Sequence, residues 1–333
     1  MLNVLVTRPF GEPLLDRLRA VSPDVTVTRA DPKTADYNAV DVLYADVPPR
    51  ELARMPKLKW AQLHLAGVNA LHNHPIFTDS AIPLTTTSGV HAFGVAEYAF
   101  TAMLALAHRV PRMVEWKDKG TWPPDSERWP LFLPAELRGA TLGIIGYGSI
   151  GRELARLAKG AFAMKVLVTK RDPAVRADDG YYQPGTGDPE GSLPDEWFGP
   201  GGLRQLLGRS DVVVMAAPLT AETERMLGPA EFAAMKPNAT FVNVGRGATV
   251  DESALHEALA AHRIAGAAID VYEEEPYPAG GPLYQLDNVI LSPHVSGFVP
   301  NFDEKCCALF AENLRRFLAG EALLNLVDRE RGY

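Results

Sequence analysis

The stretch TLGIIGYGSIGRELARLAKGAFAMKVLVTKRDP, from Thr141 to Pro173, joins an apolar run, a glycine-rich turn, a helical segment and a second apolar run. The turn GYGSIG follows the first run and opens the helix, which is the context in which a G-x-G-x-x-G motif indicates phosphate binding. Gly146 permits a tight turn, Gly148 lets the backbone approach a pyrophosphate, and Gly151 allows close packing of helix on sheet. The stretch predicts a dinucleotide-binding unit, with an ordinary glycine-rich turn as the alternative.

The residues after the second apolar run bear on which dinucleotide binds. A carboxylate that grips the ribose hydroxyls is expected there, about 20 residues after the turn, but Thr169, Lys170 and Arg171 occupy the place. A carboxylate would repel a 2′-phosphate by about 4 kcal/mol at contact in an effective dielectric near 20. Thr169 removes that repulsion and the two cations add attraction, which favours NADP(H) over NAD(H). The alternative is that both cations are solvated and that Asp172 reaches the ribose.

Short apolar, β-branched runs alternate with helical segments along the whole chain, which is typical of parallel sheets covered on both faces. The first series consists of LNVLVT, DVTVT, VDVLYA and LKWAQLH, and the second of TLGIIG, KVLVTK, DVVVMAA, TFVNVG, GAAIDV and NVILSP. We predict an α/β fold with two Rossmann-like or flavodoxin-like domains, each with a doubly wound parallel sheet. The predicted domains are 1–98 plus 297–333, which bind substrate, and 99–296, which bind the dinucleotide.

Three segments lie outside the two strand series. A long helical pattern begins at His91, where Pro111 is expected to kink or restart the helix. The tail from Asn301 to Gly320 predicts another amphipathic helix, which comes after the last strand and is able to return to the first domain. The segment from Arg176 to Gly202 is crowded with Gly, Pro and acids, and is interpreted as a surface insertion.

Composition limits the classes of function. The net charge of -8 and the lack of a basic block argue against nucleic-acid binding. The only cysteines, Cys306 and Cys307, are adjacent, so they offer neither a disulfide framework nor metal-ligand spacing, and no metal site is predicted. The N-terminus lacks a signal-peptide pattern, and no apolar run approaches the roughly 20 residues needed to span a bilayer. We expect a cytoplasmic protein that does not associate with membranes.

Three further stretches follow strand ends of the second series, where open α/β sheets place their ligands. They are NVGRGATVDE with Arg246, AIDVYEEEPYP with Asp270 and Glu275, and SPHVSG with His294. Arg246 would hold a substrate carboxylate in a bidentate ion pair. His294, hydrogen-bonded to Glu275, would protonate a carbonyl oxygen while hydride arrives at the carbon.

Taken singly, each of these residues has a simpler interpretation. Arg246 lies between two glycines and is able to cap a surface turn. The acid run that ends in Glu275 fits a solvated loop, and His294 fits a core histidine with satisfied hydrogen bonds. The residue types alone therefore leave these alternatives open.

Taken together, the blocks resemble the D-isomer-specific 2-hydroxyacid dehydrogenase family over nearly the whole chain. The matching blocks, in family order, are HLAGVNA, GVHAFGVAEYAFTAMLALAHRVP, LRGATLGIIGYGSIG, APLTAETERMLG, FVNVGRGATVDE, AAIDVYEEEPYP and LSPHVSG. The resemblance implies that Arg246 binds the carboxylate of a small 2-oxo or 2-hydroxy acid, and that Glu275 and His294 form the acid/base dyad. It also implies a bilobed homodimer with the active site in a cleft between the domains, the helix from His91 resembling the dimer-forming element.

The resemblance assigns further contacts. The backbone N–H groups of Gly67 and Val68 are implied to bind the substrate carboxylate, and Asp270 to contact the nicotinamide carboxamide. The remaining implied cofactor contacts are Ser149 and Ile150 at the pyrophosphate, Pro218 near the adenosine and the backbone of Val244.

Three rivals share this layout. Formate dehydrogenases of the same fold are expected to carry Gln in place of Glu275, which counts against them. Phosphite dehydrogenase has the same Arg, Glu and His, so it stays an alternative function for this chain. From a different class, some relatives use the bound dinucleotide to hold a corepressor-like dimer that binds protein partners, and the catalytic residues alone do not exclude that function.

Overall fold

The computed structural model of the protein describes residues 1–68 and 71–332. Asn69 and Ala70, which end the HLAGVNA block, lie outside the described residues. The chain forms two compact units. The first unit takes its described residues from 1–91, 179–183 and 299–332, and the second comprises Ala92–Asp178 and Pro184–Phe298.

The first unit is built on a five-stranded parallel sheet with the order β2-β1-β3-β4-β5, which is the doubly wound order of flavodoxin-like folds. The apolar residues of the strands are buried on both faces of the sheet, as expected when β-branched runs pair in parallel. The elements are β1 (Leu2–Val6), α1 (Glu12–Arg19), β2 (Val25–Arg29), β3 (Val42–Ala45), β4 (Trp60–Leu63), α2 (Pro75–Thr78) and β5 (Leu84–Thr85).

The second unit has a seven-stranded parallel sheet with the order β12-β11-β10-β9-β6-β7-β8. Its first six strands along the chain follow the Rossmann order, and the order reverses between β6 and β9. The strands are β6 (Thr141–Ile145), β7 (Lys165–Thr169), β8 (Glu196–Phe198), β9 (Val212–Met215), β10 (Thr240–Asn243), β11 (Gly266–Ile269) and β12 (Val289–Leu291). The prediction of two α/β units with parallel sheets is confirmed.

Helices cover both faces of the second sheet. The long helical pattern from His91 divides in two, because Arg109 adopts a left-handed conformation at φ 56 and a new helix starts at Val110. Pro111 then occupies the first turn of the new helix, where a missing N–H costs nothing. The helices are α3 (Ala92–Ala107), α4 (Val110–Lys119), α5 (Asp125–Phe132), α6 (Ser149–Phe162), α7 (Leu203–Arg209), α8 (Pro229–Ala234) and α9 (Glu252–Ala260).

The final helix, α10 (Phe302–Ala319), belongs to the first unit. Its apolar face is buried in the core beside β1, β3 and β4, where Phe310 contacts the rings of Tyr44 and Trp60. Cys306 and Cys307 lie on the same face as free, buried thiols. The amphipathic helix predicted for the tail thus completes the core of the first unit.

The interpretation of residues 176–202 as a surface insertion is wrong in part. Glu196–Phe198 forms β8, the edge strand of the second sheet, which pairs with β7. Asp188 is buried, and Asp179–Gln183 belongs to the first unit. The segment escaped the sequence pattern because a three-residue edge strand is too short to show a periodicity of two.

Candidate active site

The sheet order brings three loops of the second unit to one edge. The strands β10, β11 and β12 are adjacent and parallel, so their carboxyl ends lie side by side. Arg246 follows β10, Asp270 follows β11 directly, and His294 follows β12. The three residues that the sequence selected separately therefore converge at the edge where open parallel sheets bind ligands.

Glu275 and His294 form a hydrogen-bonded pair. The distance from His294 Nδ1 to Glu275 Oε2 is 2.7 Å, and the other carboxylate oxygen accepts the backbone N–H of Tyr272 at 3.0 Å. A carboxylate is an acceptor, so Nδ1 carries the proton in this pair and Nε2 is left for another partner. Both side chains keep access to solvent, at 47% and 37% exposure, so a substrate is able to reach them.

The backbone of His294 is held in a strained conformation. Its φ is 53, in the left-handed region that non-glycine residues rarely adopt and that costs about 1–3 kcal/mol. Asp270 supports the turn, because its carbonyl accepts the His294 N–H at 2.9 Å. Its buried carboxylate accepts the N–H groups of Val295 and Ser296 at 2.9 and 3.0 Å. Backbone strain that is held in place by such a hydrogen-bond network is typical of functional positions.

Three residues that sequence reasoning missed, Tyr98, Tyr272 and Ser292, stabilise this loop. The hydroxyl of Ser292 donates to Asp270 Oδ1 at 2.6 Å and lies 2.5 Å from the hydroxyl of Tyr98 on α3. The hydroxyl of Tyr272 donates to the carbonyl of Ser292 at 2.9 Å. Ser292 stands two residues before His294 in SPHVSG, but its contact with Tyr98 spans 194 residues and leaves no local signal.

Arg246 lies half-buried with donors to spare. Among the described residues, its guanidinium donates one hydrogen bond, from Nη1 to the carbonyl of Gly245 at 2.7 Å. Burial lowers the pKa of Arg246 below its ordinary value, and the negative charge of Glu275 opposes that effect. A half-buried cation with unused donors is a favourable site for a carboxylate, whose charge compensates the desolvation.

Gly247 explains why this loop approaches the Glu275 loop so closely. A Cβ at Gly247 would stand 1.8 Å from the carbonyl carbon of Tyr272, so no other residue fits. The carbonyl of Arg246 accepts the hydroxyl of Thr249 at 2.6 Å, and the side chain of Asn243 accepts the N–H of Gly245 at 3.1 Å. The glycine and these bonds fix the Arg246 backbone.

The predicted phosphate turn lies at the switch point of the second sheet. Gly146 has φ 94, and a Cβ there would meet the backbone of Ala217 at 2.7 Å. Its N–H donates to the carbonyl of Thr169 at 3.1 Å. A Cβ at Gly148 would meet nothing within 4 Å, and α6 begins at Ser149 and Ile150 without a side-chain cap. The space beside Gly148 and the absence of a side-chain cap on the first helical turn both fit a pyrophosphate.

The segment after β7 docks on this turn through buried polar groups. Arg152, which is fully buried on α6, donates to the carbonyls of Asp188 and Arg176 at 2.5 and 2.7 Å. The hydroxyl of Tyr147, inside the turn itself, donates to the Asp188 carboxylate at 2.6 Å. The same carboxylate accepts the N–H groups of Ser192 and Leu193 at 3.0 Å. Asp188 thereby ties the segment to the phosphate turn.

We expect Asp188→Asn to lower the free energy of unfolding by about 2 kcal/mol, because the amide turns one acceptor oxygen into a donor that faces other donors. Burial raises the pKa of Asp188, but the hydrogen bonds from Tyr147, Leu193 and Ser192 outweigh it, so the pKa lies below its ordinary value. The stability that the Asp188 carboxylate contributes is therefore fully present above its pKa in the unfolded chain, about 4. It is lost as the pH falls through the lower pKa of Asp188 in the folded protein.

Urea unfolding at pH 7 and at pH 3 measures this difference. Glu190→Gln, an exposed acid on the same segment, is the control. Equal stability of Asp188→Asn and the control at pH 7 would contradict a docking role.

The residues at the predicted adenosine end have partners within the second unit. Lys170 Nζ donates to the carbonyl of Val175 at 2.6 Å, and Arg171 Nε lies 3.1 Å from Glu222 Oε2. Asp172, the alternative ribose ligand, accepts the N–H of Ala174 at 2.9 Å and so caps its own turn.

The other predicted contacts occupy the ends of strands. Thr169 is buried at the end of β7, Pro218 follows β9, and Val244, also buried, follows β10 and donates its N–H to the carbonyl of Met215 at 3.1 Å. Gly67 and Val68 belong to the first unit, shortly after the carboxyl end of β4. Val68 is buried, and their contact with substrate stays a prediction.

Two kinds of feature are absent from the described part of the chain. Within residues 1–68 and 71–332, no helix has the length and apolar character required to cross a bilayer. In the same residues, no group of three or more His, Cys, Asp or Glu side chains has the arrangement of a metal site.

Known proteins match both the sequence and the fold. The family model for the NAD binding domain of D-isomer specific 2-hydroxyacid dehydrogenases matches residues 100–296. Glyoxylate reductase of Thermococcus litoralis is 37% identical over 301 residues, which are 90% of this chain and 86% of that protein.

Two solved structures resemble the whole chain. A D-isomer specific 2-hydroxyacid dehydrogenase of Xanthobacter autotrophicus, in complex with NADPH and MES, has a TM-score of 0.81 at 28% identity and covers 99% of each chain. An NADPH-dependent glyoxylate/hydroxypyruvate reductase of Sinorhizobium meliloti, in complex with citrate, has a TM-score of 0.72 at 26% identity and covers 99% of this chain and 98% of that one. With the family model, the relative and the folds in agreement, this chain belongs to the D-isomer specific 2-hydroxyacid dehydrogenase family.

Proposed function

We propose that this chain transfers hydride between NADP(H) and a small 2-oxo acid and its D-2-hydroxy acid, for example in the reduction of glyoxylate or hydroxypyruvate. The observation that carries the proposal is the Glu275–His294 pair, with its 2.7 Å bond, on the same sheet edge as the half-buried Arg246. The names of the relatives support the substrate class, since a glyoxylate reductase matches 90% of this chain.

The roles of the side chains follow from their chemistry. Arg246 binds the substrate carboxylate through its free guanidinium edge and so orients the neighbouring carbonyl. His294, protonated on both nitrogens, donates its Nε2 proton to the carbonyl oxygen. Its Nδ1–H stays hydrogen-bonded to Glu275, whose negative charge stabilises the imidazolium. The bound nicotinamide supplies the hydride. In the opposite direction, neutral His294 takes the proton of the hydroxyl group.

The same loops fit a dinucleotide. Gly146, Gly148 and Gly151 shape the phosphate turn, and the N–H groups at Ser149 and Ile150 are proposed to bind the pyrophosphate. Asp270 Oδ2 accepts one hydrogen bond, from Ser296, and a carboxylate oxygen has capacity for a second, from a carboxamide N–H. Pro218 and Val244 are proposed to line the cofactor, and residues 99–296 to form the dinucleotide domain, with 1–98 and 297–333 binding substrate.

We expect the double substitution Lys170→Gln and Arg171→Gln to weaken NADPH binding by about 10- to 100-fold, because each charged hydrogen bond to a 2′-phosphate contributes about 1.5–3 kcal/mol, partly offset by the partners already present. NADH binding should change little, since NADH lacks that phosphate. Fluorescence titration of the reduced nicotinamide measures both dissociation constants.

A matched control removes two cations elsewhere. Lys165 begins β7 and Arg263 precedes β11, so both lie at the amino ends of strands, away from the phosphate turn. Replacing both with Gln lowers the net charge by the same amount. If the NADPH to NADH ratio is the same in both double variants, Lys170 and Arg171 do not recognise the phosphate.

A panel of 2-oxo acids tested with NADPH and NADH, together with phosphite tested with NADP+ and NAD+, decides between this proposal and its rivals. Turnover of glyoxylate, hydroxypyruvate or pyruvate supports it. Oxidation of phosphite without 2-oxo acid reduction would identify a phosphite dehydrogenase, which keeps the same Arg, Glu and His. Tight dinucleotide binding without turnover of any of these compounds would favour the corepressor-like alternative.

We also propose a homodimer through the helices α4 and α5. Neither helix has a buried residue, although both carry large apolar side chains. Trp122, between them, is 80% exposed, and Trp129 is 74% exposed. Met113, Val114 and Leu133 are exposed as well, and a second copy of the chain would remove these apolar side chains from water.

A further inference from the structure

The ion pair between Arg171 and Glu222 joins two loops on either side of the phosphate turn. Arg171 lies on the loop that follows β7, and Glu222 lies on the loop that follows β9. In the sheet, β7 and β9 are the two neighbours of β6, which carries the turn Gly146 to Gly151. The pair therefore spans the switch point from one side to the other, at 3.1 Å between Arg171 Nε and Glu222 Oε2.

The Glu222 loop has a defined local structure. Thr223 Oγ1 donates to the carbonyl of Pro218 at 2.6 Å and accepts the N–H of Thr220 at 2.8 Å. The N–H of Glu224 donates to the carbonyl of Thr220 at 2.9 Å. These bonds close a compact turn around Glu222, so the backbone that carries its carboxylate is held in place whether or not the carboxylate is paired with Arg171.

We propose that Glu222 competes with the 2′-phosphate of NADP(H) for Arg171 and thereby sets how strongly this chain prefers NADP(H) to NAD(H). The inference rests on the proposed function, since it concerns the cofactor of that reaction. Glu222 is a specificity-determining residue that acts through Arg171.

The competition follows from charge and geometry. Glu222 occupies the Nε donor of Arg171, so a phosphate that binds the same guanidinium competes with the carboxylate for its donors. Once displaced, the carboxylate stays on the same turn and repels the incoming phosphate. NAD(H) carries a hydroxyl group in place of the phosphate, so it experiences no such repulsion and offers Arg171 no replacement anion.

The exposure of the pair limits the size of the effect. The side chain of Arg171 is 40% exposed and that of Glu222 is 69% exposed. An exposed pair shifts an equilibrium by up to about fivefold, and water and salt screen the remaining repulsion. Glu222 therefore modulates the preference for NADP(H) without abolishing binding.

Glu222→Gln tests the inference in a binding experiment that needs no substrate. Titration of NADPH and NADH against the protein, with nicotinamide fluorescence as the signal, should show NADPH binding tightened by about three- to fivefold. NADH binding should tighten by less than about twofold. The gain should shrink as the salt concentration rises from 20 to 500 mM, roughly as the Debye length falls.

Two further variants isolate the mechanism. Glu224→Gln removes the same charge from the same loop, but Glu224 is not the partner of Arg171, so the NADPH to NADH ratio should not move. In the double variant Arg171→Gln and Glu222→Gln, most of the gain from Glu222→Gln should disappear, because the contested cation is absent.

The outcomes separate the inference from the proposed function. If the wild-type protein binds neither dinucleotide, the proposed function itself fails. If it binds both and Glu222→Gln leaves their ratio unchanged, or Glu224→Gln shifts it equally, only the competition is refuted. Weaker NADPH binding in Glu222→Gln would also overturn it, since Glu222 would then position Arg171 for the phosphate.

Discussion

Replacing His294 with alanine is expected to lower kcat for 2-oxo acid reduction by about a hundredfold to ten thousandfold, the usual contribution of a general acid. NADPH affinity should stay within about twofold of wild type, because the proton donor is not a phosphate contact. Steady-state kinetics with glyoxylate or hydroxypyruvate, together with an NADPH titration, measure the two effects separately.

The strained backbone at His294 calls for a matched control. His262 also has a left-handed backbone, at φ 47, and is exposed in the same unit. His262→Ala should therefore reproduce any backbone effect of the substitution without the catalytic loss. His294→Asn adds a side chain that tolerates positive φ. A kcat near the wild-type value in His294→Asn would show that the imidazole is not the acid.

Replacing Arg246 with alanine is expected to lower kcat/KM by about a hundredfold to ten thousandfold, because two charge-assisted hydrogen bonds to the substrate carboxylate disappear. Most of the loss should appear in KM, since the carboxylate is bound in the ground state as well as the transition state. NADPH affinity should be retained. Kinetics over a wide range of 2-oxo acid concentrations separate KM from kcat.

Lysine at position 246 refines this prediction. Arg246→Lys keeps the positive charge but loses the planar fork, so it should recover only part of kcat/KM. Arg204→Ala, which removes an exposed arginine paired with Glu231, serves as the control for general charge loss. If Arg246→Ala damages NADPH binding and spares KM for the 2-oxo acid, Arg246 belongs to the cofactor site and the assigned role is wrong.

Much of the fold was predictable from local pattern. A buried parallel strand must be apolar along its length, and helices between such strands carry the longer period, so the alternation predicted both sheets. Small boundary differences remain, as at Arg109, where the helix breaks two residues before Pro111. The two-residue strand Leu84–Thr85 and the edge strand Glu196–Phe198 were too short to leave a pattern.

The residues of the candidate site could be proposed from the sequence, but the hydrogen bonds that hold them could not. Arg246, Glu275 and His294 stand in blocks that the family resemblance makes specific, and their positions after strands predict a shared edge. Nothing local predicts that the Asp270 carboxylate binds the N–H groups of Val295 and Ser296, because that contact depends on β11 and β12 being neighbours.

By itself, the sequence determined the fold class, the glycine-rich turn and which residues are candidates for catalysis, because each depends on residue types at short spacing. The tertiary structure alone decided the partners of the charged groups: Asp188 with Tyr147, and Arg171 with Glu222. Charges interact through space over a few ångströms, and strand order sets which distant residues come that close. Such pairings therefore become visible only when the sheet is assembled.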